Sequence, residues 1–226
     1  MKIDRRYKAV CFDMDGTLLD TKVDYQRMSD MIFDEMLKLG VPESIIDRSE
    51  GYKFNIDSGV QYLLSKGMEK EIYEVGERVH KYARDIEMEK VGEARPFLHS
   101  ADLLDRIHAM GLRTGVLTRG CREYAVAAMT QCGVIDLVDG IVARDDYPES
   151  EAKPSPVAME HMAERIGVRP EEILYFGDHV FDYKCARDAG SGFIGVLTGT
   201  FGKEDWEELG ITDVYGSVSD FYERMD

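Results

Sequence analysis

The sequence is poor in cysteine, in long apolar runs and in positive charge. Its four cysteines, Cys11, Cys121, Cys132 and Cys185, are scattered, and none forms a C-x-x-C pair. That argues against a disulfide framework or a zinc site and for a reducing, intracellular setting. The longest apolar runs span only a few residues, where a membrane helix needs about 20. The start, Met1 to Tyr7, leads straight into the first apolar run without a signal-like segment, so a cytoplasmic protein with no membrane partner is expected. Basic side chains number 28 against 44 acidic ones, a formal charge of −16. Such a surface repels polyanions, so no nucleic-acid partner is expected. A small anionic substrate needs a local positive site, which a divalent cation supplies. Two further patterns are missing. There is no G-x-S-x-G, and stretches such as Gly190-Ser191-Gly192 lie at a helix-to-strand turn, the wrong context for a dinucleotide fingerprint.

What is present suffices for a real core. Of 226 residues, 44% are hydrophobic and 32% charged, which suits one large domain or a core with a smaller insert. Ala9 to Phe12 reads as a buried strand that stops at Asp13 and Asp15, with Gly16 allowing a tight turn. Beyond Asp20, itself read as a helix-cap or turn carboxylate, the spacing predicts helix. Met28, Met31, Ile32, Met36 and Leu39 form one stripe, Pro42 to Arg48 a short helical unit, Ile56 to Ser65 another helix, and Glu69 to Lys90 a long amphipathic one. Gly51 to Asn55 reads as irregular. The remainder alternates. Strands are expected over 112–117, 137–143, 173–176, 192–197 and 214–215. Helices are expected over 98–110, 121–132, 157–166 and 181–189. This pattern predicts an α/β fold: a three-layer, mostly parallel core over residues 1–20 and 92–226, with an all-helical insertion over 21–91.

Four polar clusters fall at or just beyond strand ends, where ligands bind in such sheets. Asp13 and Asp15 flank a single residue, and a shared cation explains them better than a pair of turn carboxylates. A carboxylate there can attack phosphorus, and the second can move the leaving-group and water protons. Mg²⁺ suits such oxygen ligands. Gly16 and Thr17 are candidates to close the loop over a phosphate. Asp178 and Asp182, four apart at a strand-to-helix junction, suit the same cation, although either alone reads as a helix cap. His179 between them is a base or a packed rim residue. Lys153, restricted by Pro154 and Pro156, is placed to pair with the nucleophilic carboxylate and a phosphoryl oxygen. Thr118 ends a strand where its hydroxyl can grip that oxygen, and Arg119 either adds charge on the substrate side or pairs at the surface.

In order and spacing these clusters resemble the motifs of the haloacid dehalogenase-like hydrolases: Asp13-Met14-Asp15-Gly16-Thr17, then Thr118, Lys153, and Gly177-Asp178 through Asp182. The resemblance spans nearly the whole chain. It implies a Rossmann-like core, Mg²⁺, Asp13 as nucleophile and Asp15 as acid/base. Asp178 and Asp182 would serve the metal, and the Asp15 backbone carbonyl would be a further ligand. The insertion resembles the mobile cap of the phosphoglycolate phosphatase-like branch. One departure is Arg119, where that branch often has asparagine. The dehalogenases proper lack the second aspartate, so Asp15 argues against halide displacement. The expectation is a phosphatase acting on a small phosphorylated metabolite, phosphoglycolate-like or a sugar phosphate, as a monomer or homodimer. A phosphosugar mutase, a pyrophosphatase, a phosphonate hydrolase and a non-catalytic binding protein are the alternatives. For specificity, the stretch Gly51 to Gly59 offers Lys53 and Asn55 as candidate substrate contacts.

Overall fold

The structure is a computed structural model, described over residues 3–225. Its elements begin with β1 (Ala9–Phe12), β2 (Leu19–Asp20), α1 (Tyr25–Lys38), α2 (Tyr52–Ser65), α3 (Glu69–Glu89) and β3 (Arg95–Pro96). There follow α4 (Ser100–Ala109), β4 (Arg113–Leu117), α5 (Arg122–Gln131), β5 (Gly140–Val142), α6 (Val157–Ile166) and β6 (Ile173–Gly177). The last are α7 (Val180–Ala189), β7 (Gly192–Val196), α8 (Lys203–Glu208), β8 (Val214–Tyr215) and α9 (Val218–Glu223). The chain divides into two compact units, one of residues 1–21 and 91–226 and one of residues 22–90.

The first unit holds a six-stranded sheet in the order β5-β4-β1-β6-β7-β8, with every neighbouring pair parallel. Helices flank it in a Rossmann-like three-layer arrangement. Burial on both faces explains the unbroken apolar runs: all four residues of β1 and all five of β6 are buried. One side of the sheet packs Cys11, Leu117 and Tyr175 against Met159 and Met162 of α6 and Cys185 of α7. From β1 the chain builds outward to β4 and β5, then returns to place β6 on the other side of β1. The order therefore reverses at β1 and β6, and in such sheets the crevice at that reversal is where ligands bind. A two-stranded antiparallel pair, β2 with β3, joins the point where the chain leaves this unit to the point where it returns. No helix among the described residues is long and apolar enough to cross a membrane.

The second unit is three helices. Asp24 caps α1 by accepting from the Arg27 backbone N–H at 2.9 Å, and Asp20, expected as a cap or turn carboxylate, lies in β2. Met28, Ile32, Ala83 and Ile86 form one small core between α1 and α3; Phe33, Met36, Val41, Ile46 and Leu63 form another. Gly59 lets α2 approach α1 closely, because a Cβ there would meet the Met36 sulfur at 2.5 Å. Two local expectations are corrected. Residues 42–48 form turns rather than a helix, and α2 begins at Tyr52, so Gly51 to Asn55 is mostly helical. Asn55 explains both. It is fully buried, its Oδ1 accepts from the Asp47 N–H and its Nδ2 donates to the Asp47 carbonyl, both at 2.9 Å. The turn segment closes its own turns, Ile45 N–H to the Pro42 carbonyl and Glu50 N–H to that of Asp47, and is stitched to α2 through Asn55.

Glu35 is buried on α1 and accepts from Lys38 at 2.7 Å and from Arg78 of α3 at 3.2 Å. The Lys38 bond first, against burial and with help from Arg78, holds its carboxyl below the usual range. A depressed carboxylate contributes stability above its unfolded pKa, near 4.3, and loses it as pH falls through the folded value. Glu35→Gln is thus expected to lower stability by about 1 kcal/mol at neutral pH. That difference should vanish in acid, below the folded pKa. Urea midpoints of both proteins at neutral and acid pH check it, and a difference that persists in acid would refute the ion-pair account.

Candidate active site

The site grows from the ends of β1 and β6. The Asp13 N–H donates to the Phe176 carbonyl at 2.8 Å, which continues the ladder one residue past β1 and brings the carboxylate beside β6. The chain then turns at Gly16, with φ +78°, where a Cβ would sit 2.7 Å from an Asp178 oxygen. Leu18 and Leu19 both donate to the Met14 carbonyl, and Gly16 donates to that of Leu19. Thr17 and Thr198 fasten this loop: the Thr17 hydroxyl donates to Asp178 Oδ1 at 3.1 Å, and the Thr198 hydroxyl to the Gly16 carbonyl at 2.5 Å. Thr17 is expected to help close this loop over a phosphate, and it fastens the loop from inside. It is fully buried, and its hydroxyl is committed to Asp178.

The junction of β6 with α7 supplies Asp178 and Asp182. His179 caps α7, its Nδ1 accepting from the Phe181 N–H at 3.2 Å, while Asp182 Oδ2 accepts from the His179 N–H at 3.1 Å. His179 is therefore the packed residue of the two readings, and burial lowers its pKa. No side chain fits at Gly177, where a Cβ would collide with Asp182, or at Gly199, where it would collide with Asp178.

Lys153 ties the group together. Buried at 3% exposure, its Nζ lies 2.5 Å from Asp13 Oδ1, 2.6 Å from Asp182 Oδ1 and 3.0 Å from the Tyr175 hydroxyl. That hydroxyl lies 2.9 Å from the Leu117 carbonyl and 3.1 Å from Asp182 Oδ1. Burial works against the Lys153 charge, but Asp13 and Asp182 outweigh it and hold the ammonium above its ordinary pKa. Burial also drives the Asp13 carboxyl well above the usual range; Lys153 opposes the shift, and Asp182, Asp178 and Asp15 add to it. Asp178 is pushed up to about 7, by burial and then by Asp182.

Carboxylate oxygens of Asp13, Asp178 and Asp182 lie within 4.8 Å of one another. Among the described residues one ammonium, that of Lys153, pairs into this group of three buried carboxylates, which leaves it short of positive charge. A hard divalent cation suits that deficit and an all-oxygen donor set. These residues therefore fit a metal such as Mg²⁺.

The other candidates divide. The Asp15 side chain is outside the three-carboxylate group; its Oδ1 accepts from the Thr21 hydroxyl at 2.6 Å and from the Tyr124 hydroxyl at 2.5 Å. The Thr118 hydroxyl accepts from the Gly120 N–H at 2.9 Å, which leaves its proton to donate. Of its two expected uses, Arg119 shows the ion pair, with part-exposed Glu149. Its guanidinium donates to the Lys153 carbonyl and, at 2.8 Å, to Glu149, so it braces the loop that carries Lys153. In the helical unit, Lys53 pairs with Asp57 at 2.6 Å along α2. Asn55 had been expected to reach a substrate; its buried amide is instead engaged on both sides by Asp47. Sequence reasoning missed Tyr124, Tyr175 and Thr198. Only Tyr175 left a trace, as a hydroxyl in an otherwise apolar strand, where it needs a buried partner.

The sequence pattern of haloacid dehalogenase-like hydrolases matches residues 10–196. The chain belongs to this family, and with its buried aspartate cluster it is a hydrolase. It is similar to the phosphoglycolate phosphatase of Nitrosospira multiformis, 27% identical over 190 residues that cover 81% of this chain and 80% of that protein. It is also 27% identical to that of Chromobacterium violaceum over 231 residues, covering 98% and 97%. Among solved structures, a hydrolase from Pseudomonas syringae shares the fold with a TM-score of 0.65 at 21% identity, covering 96% and 97% of the two chains. A HAD family hydrolase from Deinococcus radiodurans, solved with bound phosphate and sodium, does so with a TM-score of 0.61 at 16% identity, covering 96% and 94%.

Proposed function

We propose that this chain is a Mg²⁺-dependent phosphatase that hydrolyses a small phosphomonoester through a phosphoryl group carried on Asp13. The observation that carries the reading is the Lys153 ammonium lodged between Asp13 and Asp182, with Asp178 in the same carboxylate group. Asp13 attacks phosphorus with a carboxylate oxygen. The ester P–O bond breaks, and its electron pair goes to the leaving oxygen, which takes a proton from Asp15. Water then attacks phosphorus, gives a proton to Asp15 and releases the Asp13 carboxylate and inorganic phosphate. Lys153 offsets the repulsion between nucleophile and phosphoryl oxygens, and the Thr118 hydroxyl donates to one of those oxygens. Asp13, Asp178 and Asp182, with the Asp15 carbonyl, are the ligands we assign to Mg²⁺. When bound, the ion supplies Lewis-acid stabilisation of the phosphoryl charge.

The substrate we favour is phosphoglycolate-like or a sugar phosphate. The phosphoglycolate phosphatases among the relatives support the first. In this reading the helical unit is a cap whose motion admits and releases substrate, with Lys53 as a candidate contact. The setting is the cytoplasm, the partner a small metabolite, and the assembly a monomer or homodimer.

The test is phosphate release from phosphoglycolate, a hexose phosphate, a nucleoside monophosphate, pyrophosphate and a phosphonate. Release of phosphate from an ester should need Mg²⁺, stop in EDTA and return when Mg²⁺ is restored. A folded, metal-loaded protein that releases none overturns the reading. Isomerisation of the hexose phosphate without net release would instead indicate a mutase.

A further inference from the structure

Tyr124 has no part in the chemistry set out above, yet it ends on the side chain that must move protons. It lies in the first turn of α5, just past Thr118, and is 1% exposed. Its ring occupies the space above Gly120, where a Cβ would stand 2.7 Å from a ring carbon. The seat thus depends on glycine at that position. From it the hydroxyl donates to Asp15 Oδ1 at 2.5 Å, across 109 residues of sequence. The Thr21 hydroxyl donates to the same oxygen at 2.6 Å. An oxygen that accepts two hydroxyl protons is the poorer place for a third.

We propose that Tyr124 is a positioning residue for proton transfer: with Thr21 it pins Asp15 Oδ1, so that the proton is carried and delivered by Oδ2. The inference deepens the phosphatase reading and rests on it. In the first step the P–O ester bond breaks toward the leaving oxygen, and the proton on Asp15 Oδ2 passes to that oxygen as the pair arrives. In the second, the proton of the attacking water returns to Oδ2. Tyr124 keeps its own proton throughout and holds the carboxyl at one rotation.

The consequence depends on the leaving group. An alkoxide cannot leave without that proton, whereas p-nitrophenolate can. The ratio kcat/KM reports the step up to loss of the leaving group and not the later hydrolysis. Tyr124→Phe keeps the buried ring and removes only the hydroxyl. With Mg²⁺ present, it should lower kcat/KM for an alkyl phosphate by about tenfold or more, and for p-nitrophenyl phosphate by no more than about threefold. Thr21→Val should shift the same ratio in the same direction. In an Asp15→Asn background, Tyr124→Phe should change alkyl phosphate hydrolysis by less than about twofold, because there is no proton left to orient. Equal losses on both esters, no loss on either, or an undiminished loss in the Asp15→Asn background would overturn the positioning role while leaving the phosphatase reading intact. Should Tyr124→Phe not fold, Thr21→Val decides by the same ratio. A wild-type protein inactive on every ester would overturn both.

Discussion

Asp13→Asn is expected to remove phosphate release by at least about 10⁴-fold and, in the same protein, to raise the melting temperature of the metal-free form. The first effect follows from chemistry, since an amide oxygen does not replace a carboxylate as the nucleophile. The second follows from the group around it. Asp13 is buried with Asp178 and Asp182, and Lys153 pairs with Asp13 and Asp182. Its carboxyl is held well above the ordinary range, by burial against Lys153 and then by its acidic neighbours. A carboxylate with a raised folded-state pKa destabilises the fold wherever the unfolded chain is ionised. An amide of the same shape removes that repulsion and still offers Lys153 an acceptor oxygen. Activity assays with Mg²⁺, alongside thermal melts in EDTA, check both halves. Retained turnover, or a lower metal-free melting temperature, would contradict this account.

The mirror-image substitution is Lys153→Met. It keeps most of the buried stem and deletes the ammonium that faces Asp13 and Asp182 at 2.5 and 2.6 Å. Removing one partner of a buried ion pair leaves uncompensated charge, at a cost of about 3–5 kcal/mol. Turnover should fall by about 10²–10³-fold, because the phosphoryl charge loses a fixed cation. Part of the stability should return with Mg²⁺, since a ligand that binds only the folded state stabilises it in proportion to its saturation. The two variants separate roles that share one location: Asp13→Asn is stable and inactive, Lys153→Met unstable and weakened. Denaturation midpoints with and without Mg²⁺ give the comparison, and a Lys153→Met protein as stable as wild type in EDTA would count against it.

The carboxylates of this site were legible because each breaks a pattern. Asp13 follows four buried apolar residues, and Asp178 follows five. A charge placed there is costly without compensation, so it announces itself. The helices of the core were legible for a similar reason, their ends marked by Gly133, Gly167 and Gly190, each with positive φ. What stayed hidden came from partners far along the chain. Tyr124 lies in a helix where nothing local distinguishes a ring that packs from a ring whose hydroxyl reaches a carboxylate. Arg119 sits beside Thr118, but its partners Lys153 and Glu149 are 34 and 30 residues away. In the insertion the error was one of scale. Polar Lys53 and Asn55 looked like loop residues, whereas burial of Asn55 against Asp47 makes them part of α2. The strands β2 and β3 are two residues each, too short for any periodicity to reveal.

Those two short strands have a consequence for how such an enzyme changes over time. Leu19 pairs with Pro96 and Asp20 with Arg95, so the chain departs and returns at adjacent positions. Closing that gap needs only a few residues, and each doubling of the length of a flexible loop across it adds only about 0.6 kcal/mol of closure entropy. Residues 22–90 are therefore attached like an exchangeable tool head. Their sequence, length and chemistry are free to drift while Asp13, Lys153, Asp178 and Asp182 stay where the first unit holds them. The insert can then be rebuilt, lengthened or shortened without disturbing the unit that holds those four side chains.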